Sequence, residues 1–251
     1  MNNKQLNASM LVLGVSLLLA ACQPSMKMTK TLDESYQAAV ADAAIARKDE
    51  IATNLMAVDR SNKQLTWSED GSKLLVVTWK AQQAYEKFLK PYQATSDNEA
   101  YAVWVTLAPQ VKQFCRAQAQ TQSSLNLKLK QYLGLNPEWS YDVFVEMWVS
   151  PEDLFRPCVD PETNDQRCNL HFAKGDAPKV KNINDYKAFY QQLYYRSFRS
   201  SAGVPWTGLG YTYNWAESRS EVGASEFILS PKAAYKIHRV SPTQEYCAQS
   251  H

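Results

Sequence analysis

The sequence shows no strong excess of one charge and carries none of the common catalytic motifs. Its 27 lysine and arginine residues are balanced by 25 acidic residues, and no basic stripe stands out, so binding of nucleic acid has no electrostatic support. It contains no Gly-x-Ser-x-Gly, no His-Glu-x-x-His and no phosphate-binding loop. Cys-x-x-Cys is absent, and the three histidines, His171, His238 and His251, lie at no ligand spacing. We therefore expect neither a metal nor another cofactor.

Long apolar runs are also scarce. The only one, Met10 to Ala20, is interrupted by Gly14 and Ser16 and follows the positive charge of Lys4. At roughly a dozen residues it is too short to cross a bilayer of about 30 Å, but it is typical of the apolar region of a signal peptide. No second run follows, so no transmembrane helix is expected after processing.

The end of this run, Leu19-Ala20-Ala21-Cys22, closely resembles the lipobox of bacterial lipoproteins. In that family cleavage precedes the cysteine, which carries a thioether-linked diacylglycerol and usually an N-acyl chain. The resemblance implies a signal peptide over residues 1–21, lipidation at Cys22 and attachment to a membrane, because two or more acyl chains anchor stably. By analogy with enteric lipoproteins, Gln23 favours the outer membrane, facing the periplasm. The alternative is an ordinary cleaved signal peptide with Cys22 as a spare thiol.

The other four cysteines form an even set in an oxidising compartment, which predicts two disulfides. Three connectivities are compatible with the sequence. We expect a local bond between Cys158 and Cys168, and a bond from Cys115 to Cys247 that ties the C-terminus to the middle of the chain.

Helical and strand patterns are interspersed without a regular βαβ rhythm, and 45% of the residues are hydrophobic. This predicts one α+β domain over residues 61–251, with an antiparallel or mixed sheet and flanking helices. A lipidated tether (22–32) and an N-terminal helix (33–60) are expected to precede it. The predicted strands form a hairpin around Asp70-Gly71 and lie over 101–107 and 141–149 and near 211–215, 225–229 and 233–240. The predicted helices are a long one over 109–133, a short one after Ser150, one capped by Asn184 and a last one capped by Ser241. A surface loop is predicted over 158–168.

Within this domain, the segments from Trp148 to Cys168, from Pro205 to Trp215 and Ser225-Glu226-Phe227 are similar to a group of secreted bacterial proteins. The similarity extends over most of residues 73–247. It implies no activity, because none is assigned to that group.

Aromatic residues are densest between Tyr186 and Trp215, where they occupy ten of thirty positions. The spacing of those in the predicted helix is that of one packed face, so they are expected to fill the core. Those after the helix accompany Gly208 and Gly210, which allow close approach of the backbone, and are candidates for stacking on a sugar or for a protein interface. The alternative is a tight turn in the core. The candidate binding residues are Trp206, Tyr211, Tyr213 and Trp215.

These observations predict a lipid-anchored, non-enzymatic protein that binds an envelope protein or a glycan. The alternative is an envelope hydrolase that uses a pair of carboxylates near residues 146–160. A simpler interpretation assigns two of these acids to the start of a helix and one to a solvated loop. The candidate acids are Glu146, Glu152, Asp153 and Asp160.

Overall fold

The structure is a computed structural model that describes residues 30–118, 122–199, 203–216 and 220–248. The predicted signal peptide, Cys22 and most of the tether lie outside the described residues. No helix in the described part of the chain is long and apolar enough to cross a membrane.

A sheet of seven strands forms the centre of the described residues, and every strand is antiparallel to its neighbours. The order is β4-β6-β2-β1-β3-β7, and β5 pairs with β6 beside β4. The strands are β1 (Leu74–Lys80), β2 (Val103–Leu107), β3 (Val143–Val149), β4 (Leu154–Phe155), β5 (Tyr211–Tyr213), β6 (Val222–Leu229) and β7 (Tyr235–Pro242). The helices are α1 (Leu32–Ala43), α2 (Gln82–Phe88), α3 (Ala108–Ala117), α4 (Gln122–Tyr132), α5 (Tyr186–Arg199) and α6 (Thr243–Ala248). The predicted α+β class, with an antiparallel sheet and flanking helices, is confirmed.

Alternation along the strands divides the core into two layers. On one face, residues such as Val76, Val145 and Phe227 pack with α2 and with the segment before β1. On the other face, Val77 and Phe144 pack with α3, α4 and α6. The helix α5 covers the same face further along, over β4 and the end of β6. The strand β3 is apolar on both faces and is paired on both sides, as its sequence predicts.

Two disulfides join these elements, and both have the predicted pairing. Cys115 of α3 is bonded to Cys247 of α6, with their Cα atoms 5.3 Å apart. Cys158 and Cys168, ten residues apart in the sequence, close the loop after β4.

The predicted N-terminal helix over 33–60 is wrong beyond Ala43, where α1 ends. A short 3₁₀ turn follows, and the next residues are extended and enter the core. The Leu55 N–H donates to Gln166 O at 2.9 Å, and the Val58 N–H donates to Thr163 O at 2.7 Å. These bonds to a distant loop replace the local bonds of a helix, so the segment is part of the domain and not a spacer.

Three further boundaries also differ. The predicted helix over 109–133 is two helices, α3 and α4, and the Leu125–Leu129 region is helical despite its alternation. The short helix after Ser150 is a single 3₁₀ turn that leads into β4. The predicted cap Ser241 lies in β7, and α6 starts at Thr243.

The loop over 158–168 lies partly at the surface, where Glu162, Asn164, Gln166 and Arg167 are exposed, and is also anchored to the core. Arg156, fully buried, donates from Nη2 to Met56 O at 3.0 Å and to Asp165 O at 2.7 Å, and pairs with the Asp165 carboxylate. Burial lowers the pKa of this guanidinium. Because Arg156 bonds both the loop and the segment before β1, it fixes the two to each other.

Candidate functional site

The sheet is split between β1 and β2. These strands pair only through Val76 with Leu107 and Val77 with Thr106. Beyond this point β1 continues to pair with β3 up to Lys80, and β2 continues to pair with β6 up to Val103. The two strands therefore separate and leave a space between them, which we call the β1–β2 gap.

A cavity of about 430 Å³ occupies the β1–β2 gap and the space above it; we call it the gap cavity. Consecutive residues of both strands line it, 77–80 of β1 and 104–106 of β2, as expected for a cavity that extends between strands. The loop after α4, the helix α5 and the segment 204–206 complete its walls. Its volume lies within the range of about 300–1,000 Å³ that is usual for ligand pockets.

Glu226 is the only acidic residue among the described residues that line the gap cavity. It lies on β6 beside Thr106 of the last β1–β2 pair, so β2 stands between its backbone and the gap. Its residue surface is only 7% exposed, and its buried Oε1 has no hydrogen-bond partner in the described structure. Burial raises the pKa of this carboxyl to about 8, so the unliganded site holds a proton at neutral pH.

Trp206 contributes a second unsatisfied group to the gap cavity. Its ring packs against Tyr190 at 4.9 Å, but its buried Nε1–H has no acceptor among the described residues. Other aromatic side chains line the same space, namely Trp79, Trp104, Trp139, Tyr141, Phe144 and Tyr213. The gap cavity thus combines an aromatic wall with one acidic residue, and two polar atoms of its lining side chains, Glu226 Oε1 and Trp206 Nε1, are buried without a partner among the described residues.

The mouth of the cavity is more polar. Trp139 is 40% exposed there. Arg196 of α5 is exposed and donates to Ala100 O at 2.9 Å, and Lys80 also lines the cavity. The exposed part of the lining thus includes Trp139 and Arg196, whereas Glu226 is buried.

The candidate binding residues Trp206, Tyr211, Tyr213 and Trp215 do not form an exposed patch. Trp206 and Trp215 are each 5% exposed, Tyr211 is 1% exposed, and Tyr213 is half-buried. Trp215 packs edge-on against Tyr36 and donates to Leu135 O, and the Tyr211 hydroxyl donates to Glu50 O. Trp206 and Tyr211 are buried where the turn before β5 folds inward, and Trp215, after β5, is buried against α1. Only Trp206 and Tyr213 line the gap cavity.

The two glycines of this turn also allow it to pack closely in the core. Gly208 and Gly210 have φ values of 62° and 76°, which favour glycine. A Cβ atom on Gly210 would lie 2.7 Å from Cys168 Sγ, so the close approach is to the protein's own disulfide.

The four predicted acids do not form a catalytic pair. Glu146 faces Lys112 at 3.6 Å, Asp153 accepts from Lys181 at 2.6 Å, and Asp160 accepts from the Asn169 N–H at 2.9 Å. Glu152 is exposed. Glu146, Asp153 and Asp160 thus each have a different partner, and no two of them share one.

Glu146 is also remote from Glu226. The two lie on the same face in one cross-strand row, separated by Val77 and Thr106. Three strand spacings amount to about 14 Å, whereas paired carboxylates in glycosidases stand about 5–9.5 Å apart.

Two groups of described residues have metal-ligand geometry. Cys158, Asp160 and Cys168 form one group, but the disulfide removes both thiolates. Asp42, Glu50 and Glu221 form the other, in which Arg47 pairs with two of the carboxylates and the Tyr213 hydroxyl donates to Asp42 at 2.8 Å. Because these contacts already compensate much of the acidic charge, we assign no ion to this group.

Sequence reasoning missed Glu226, although a signal was present. It is the only charged residue in β6, whose other residues are small or apolar. An acid in such a strand indicates a buried carboxyl, but the β1–β2 gap that leaves it unpaired is not visible in a local pattern.

Comparison of the chain with protein families, curated proteins and solved structures gives no match.

Proposed function

We propose that this protein is a lipid-anchored component of the cell envelope that binds a ligand in the gap cavity without converting it. The ligand is part of an envelope protein or a glycan, with an apolar surface for the aromatic wall. The observation that carries the proposal is the unpartnered Oε1 of Glu226. Leaving a buried polar group without a partner costs about 1–3 kcal/mol, which a ligand with a matching donor recovers. The Trp206 Nε1–H provides the complementary donor.

Binding is favoured over hydrolysis by the chemistry of the lining. Glycoside hydrolysis normally uses two carboxyl groups, and the described lining of the gap cavity holds one. Histidine, the usual base that activates a serine or cysteine nucleophile, does not occur among these lining residues, and neither does cysteine. The lining therefore supports recognition better than bond cleavage.

The location is part of the same proposal. Lipidation at Cys22 would hold the domain at the membrane, and Gln23 favours the outer membrane with the domain in the periplasm. The two disulfides support an oxidising compartment, since such bonds persist outside the cytosol.

Native mass spectrometry of the full lipidated protein, purified from its own envelope, tests the binding. Ala102 lines the gap cavity and is half-buried, so Ala102→Trp fills the cavity without deleting a contact. Ala94→Trp, at an exposed position outside the cavity lining, is the matched control. We expect a non-covalent added mass on the wild type and on Ala94→Trp, and none on Ala102→Trp.

The proposal fails if the wild type carries no added mass, or if Ala102→Trp carries the same mass as the wild type. The non-enzymatic part is tested by returning the released ligand to fresh protein. We expect the ligand to be recovered with its mass unchanged, and a new product that appears only with protein would contradict this part.

A further inference from the structure

The β1–β2 gap exposes the edges of two strands within one sheet. In an antiparallel strand, the backbone N–H and C=O groups of alternate residues point to opposite neighbours. Lys80 O accepts from the Asp142 N–H on the β3 side, and the Leu75 N–H donates to Thr66 O on the other side. By this alternation the backbone groups of Trp79 point into the gap.

The backbone groups of Trp104 point into the gap from the opposite edge. Thr106 pairs with Val77 across β1 and β2, and Trp104 lies two residues further along the same strand. In a continuous sheet Trp79 and Trp104 would pair with each other, but β1 pairs here with β3 and β2 with β6. Each edge therefore offers an N–H donor and a C=O acceptor to whatever enters the gap.

We infer that the gap cavity binds a short extended peptide, whose main chain pairs with Trp79 and Trp104 and whose primary amine reaches Glu226. This inference rests on the proposed function and names its ligand class. A peptide in extended form carries alternating N–H and C=O groups at the spacing of a strand, and addition of such a segment to an exposed strand edge is a recurrent mode of recognition. A sugar ring has no such repeat, so the two edges favour a peptide over a glycan.

Charge complementarity assigns the amine to Glu226. This residue lies on β6 beside Thr106 of the last β1–β2 pair, lines the gap cavity, and its Oε1 has no hydrogen-bond partner among the described residues. An ammonium group supplies three donors, and its charge favours the ionised carboxylate, so its binding releases the proton that Glu226 holds in the unliganded site.

Tryptophan fluorescence of the full lipidated protein in detergent tests the inference, because four tryptophans line the cavity. The probes are a pool of apolar tripeptides with free amines, the same pool acetylated at the N-terminus, and the same pool N-methylated at the central amide. We expect the free pool to bind. Acetylation should weaken binding by tenfold or more in the wild type but by less than twofold in Glu226→Gln. Methylation should weaken it about fivefold to tenfold in both, because it removes one main-chain donor.

Equal binding of the free and modified pools, or no binding of the free pool, would overturn the inference. N-acetylglucosamine is titrated in parallel. If the sugar binds and the peptides do not, the peptide inference fails while the proposed binding function stands. If the native protein also carries no added mass, the proposed function fails as well.

Hydrogen exchange gives a readout that does not depend on the peptide sequence. Without peptide, the amides of Trp79 and Trp104 should exchange at least tenfold faster than those of Val77 and Thr106, which lie in the last β1–β2 pair. Addition of the free tripeptide pool should slow the exchange of the Trp79 and Trp104 amides and leave the exchange of the Val77 and Thr106 amides unchanged. Equal protection of all four amides in the unliganded protein would contradict the inference, because the edges would already be paired.

Discussion

Glu146 and Glu226 lie in the same cross-strand row but have opposite surroundings. Glu146 has a cationic partner, Lys112, whose ammonium also lies 4.9 Å from the ring of Tyr246. Glu226 is buried to a similar degree without such a partner. The first residue therefore stabilises the fold as an ion pair, whereas the second weakens it unless a proton or a ligand is bound.

The raised pKa of Glu226 predicts a specific pH dependence of stability. A carboxyl titrates near 4.5 in the unfolded chain and at about 8 in the folded protein, so the folded state holds the proton longer. The free energy of unfolding then decreases as the pH rises from about 4.5 to 8, and stays at the lower value above that. Glu226→Gln removes this decline. We expect similar stability of both proteins at pH 4.5, and a variant more stable by a few kcal/mol at pH 8.5.

Urea denaturation at pH 4.5, 6.5 and 8.5 measures this difference. The other carboxyls titrate in both proteins, so their contributions cancel in the difference between the two free energies of unfolding. A variant that is less stable than the wild type at pH 8.5 would indicate that Glu226 has a partner in the folded chain.

For Glu146→Gln we expect a loss of stability, the opposite of the effect expected for Glu226→Gln. Glu146→Gln leaves Lys112 buried without its carboxylate, and we expect a loss of about 3 kcal/mol of stability at pH 7. Glu152→Gln, at an exposed position three residues after the end of β3, serves as the surface control and should change stability by less than about 0.5 kcal/mol. Equal unfolding midpoints for the two variants would contradict the role of the ion pair.

At the scale of elements, the bond between Cys115 and Cys247 connects α3 to α6 across 132 residues of sequence. The chain-entropy treatment of loop closure assigns such a bond about 5 kcal/mol, and about 3 kcal/mol to the ten-residue separation of Cys158 and Cys168. We expect the double variant Cys115→Ala, Cys247→Ala to lose several kcal/mol in chemical denaturation. The same unfolding midpoint with and without reductant would contradict this expectation.

The elements also show what the sequence can predict. Strands with clear alternation or branched residues, such as β1 and β3, are recognisable because the pattern reflects the faces they bury. The extended segment after α1 is not, because its N–H groups bond to carbonyls more than a hundred residues away. The candidate site depends on a strand separation between β1 and β2, which is a property of tertiary pairing.

The aromatic residues illustrate the same limit at the site. Their density near Trp206 coincides with one wall of the gap cavity, but composition does not distinguish a wall that faces a cavity from an exposed patch. Trp139, exposed at the mouth, lies in a loop that carries no aromatic pattern of its own. Only the fold brings it together with Trp206.

For the whole molecule, the proposed function requires both a lipid anchor at Cys22 and a domain that binds a ligand. Cys22 lies outside the two disulfides, so Cys22→Ala should leave the fold intact. We expect the wild type to fractionate with membranes and to yield an N-terminal peptide that begins with an acylated cysteine, whereas Cys22→Ala should lack the acyl modification. An unmodified N-terminal peptide in the wild type would favour the ordinary signal peptide.

The proposed function depends most directly on Glu226, which lines the gap cavity and whose Oε1 has no partner among the described residues. Carbon-13 NMR of glutamate-labelled protein, stripped of ligand and compared with Glu226→Gln to assign the signal, measures the titration of this group directly. The account predicts a midpoint near pH 8 that shifts when a ligand enters the cavity. A midpoint near 4.5, unchanged by any ligand, would contradict it.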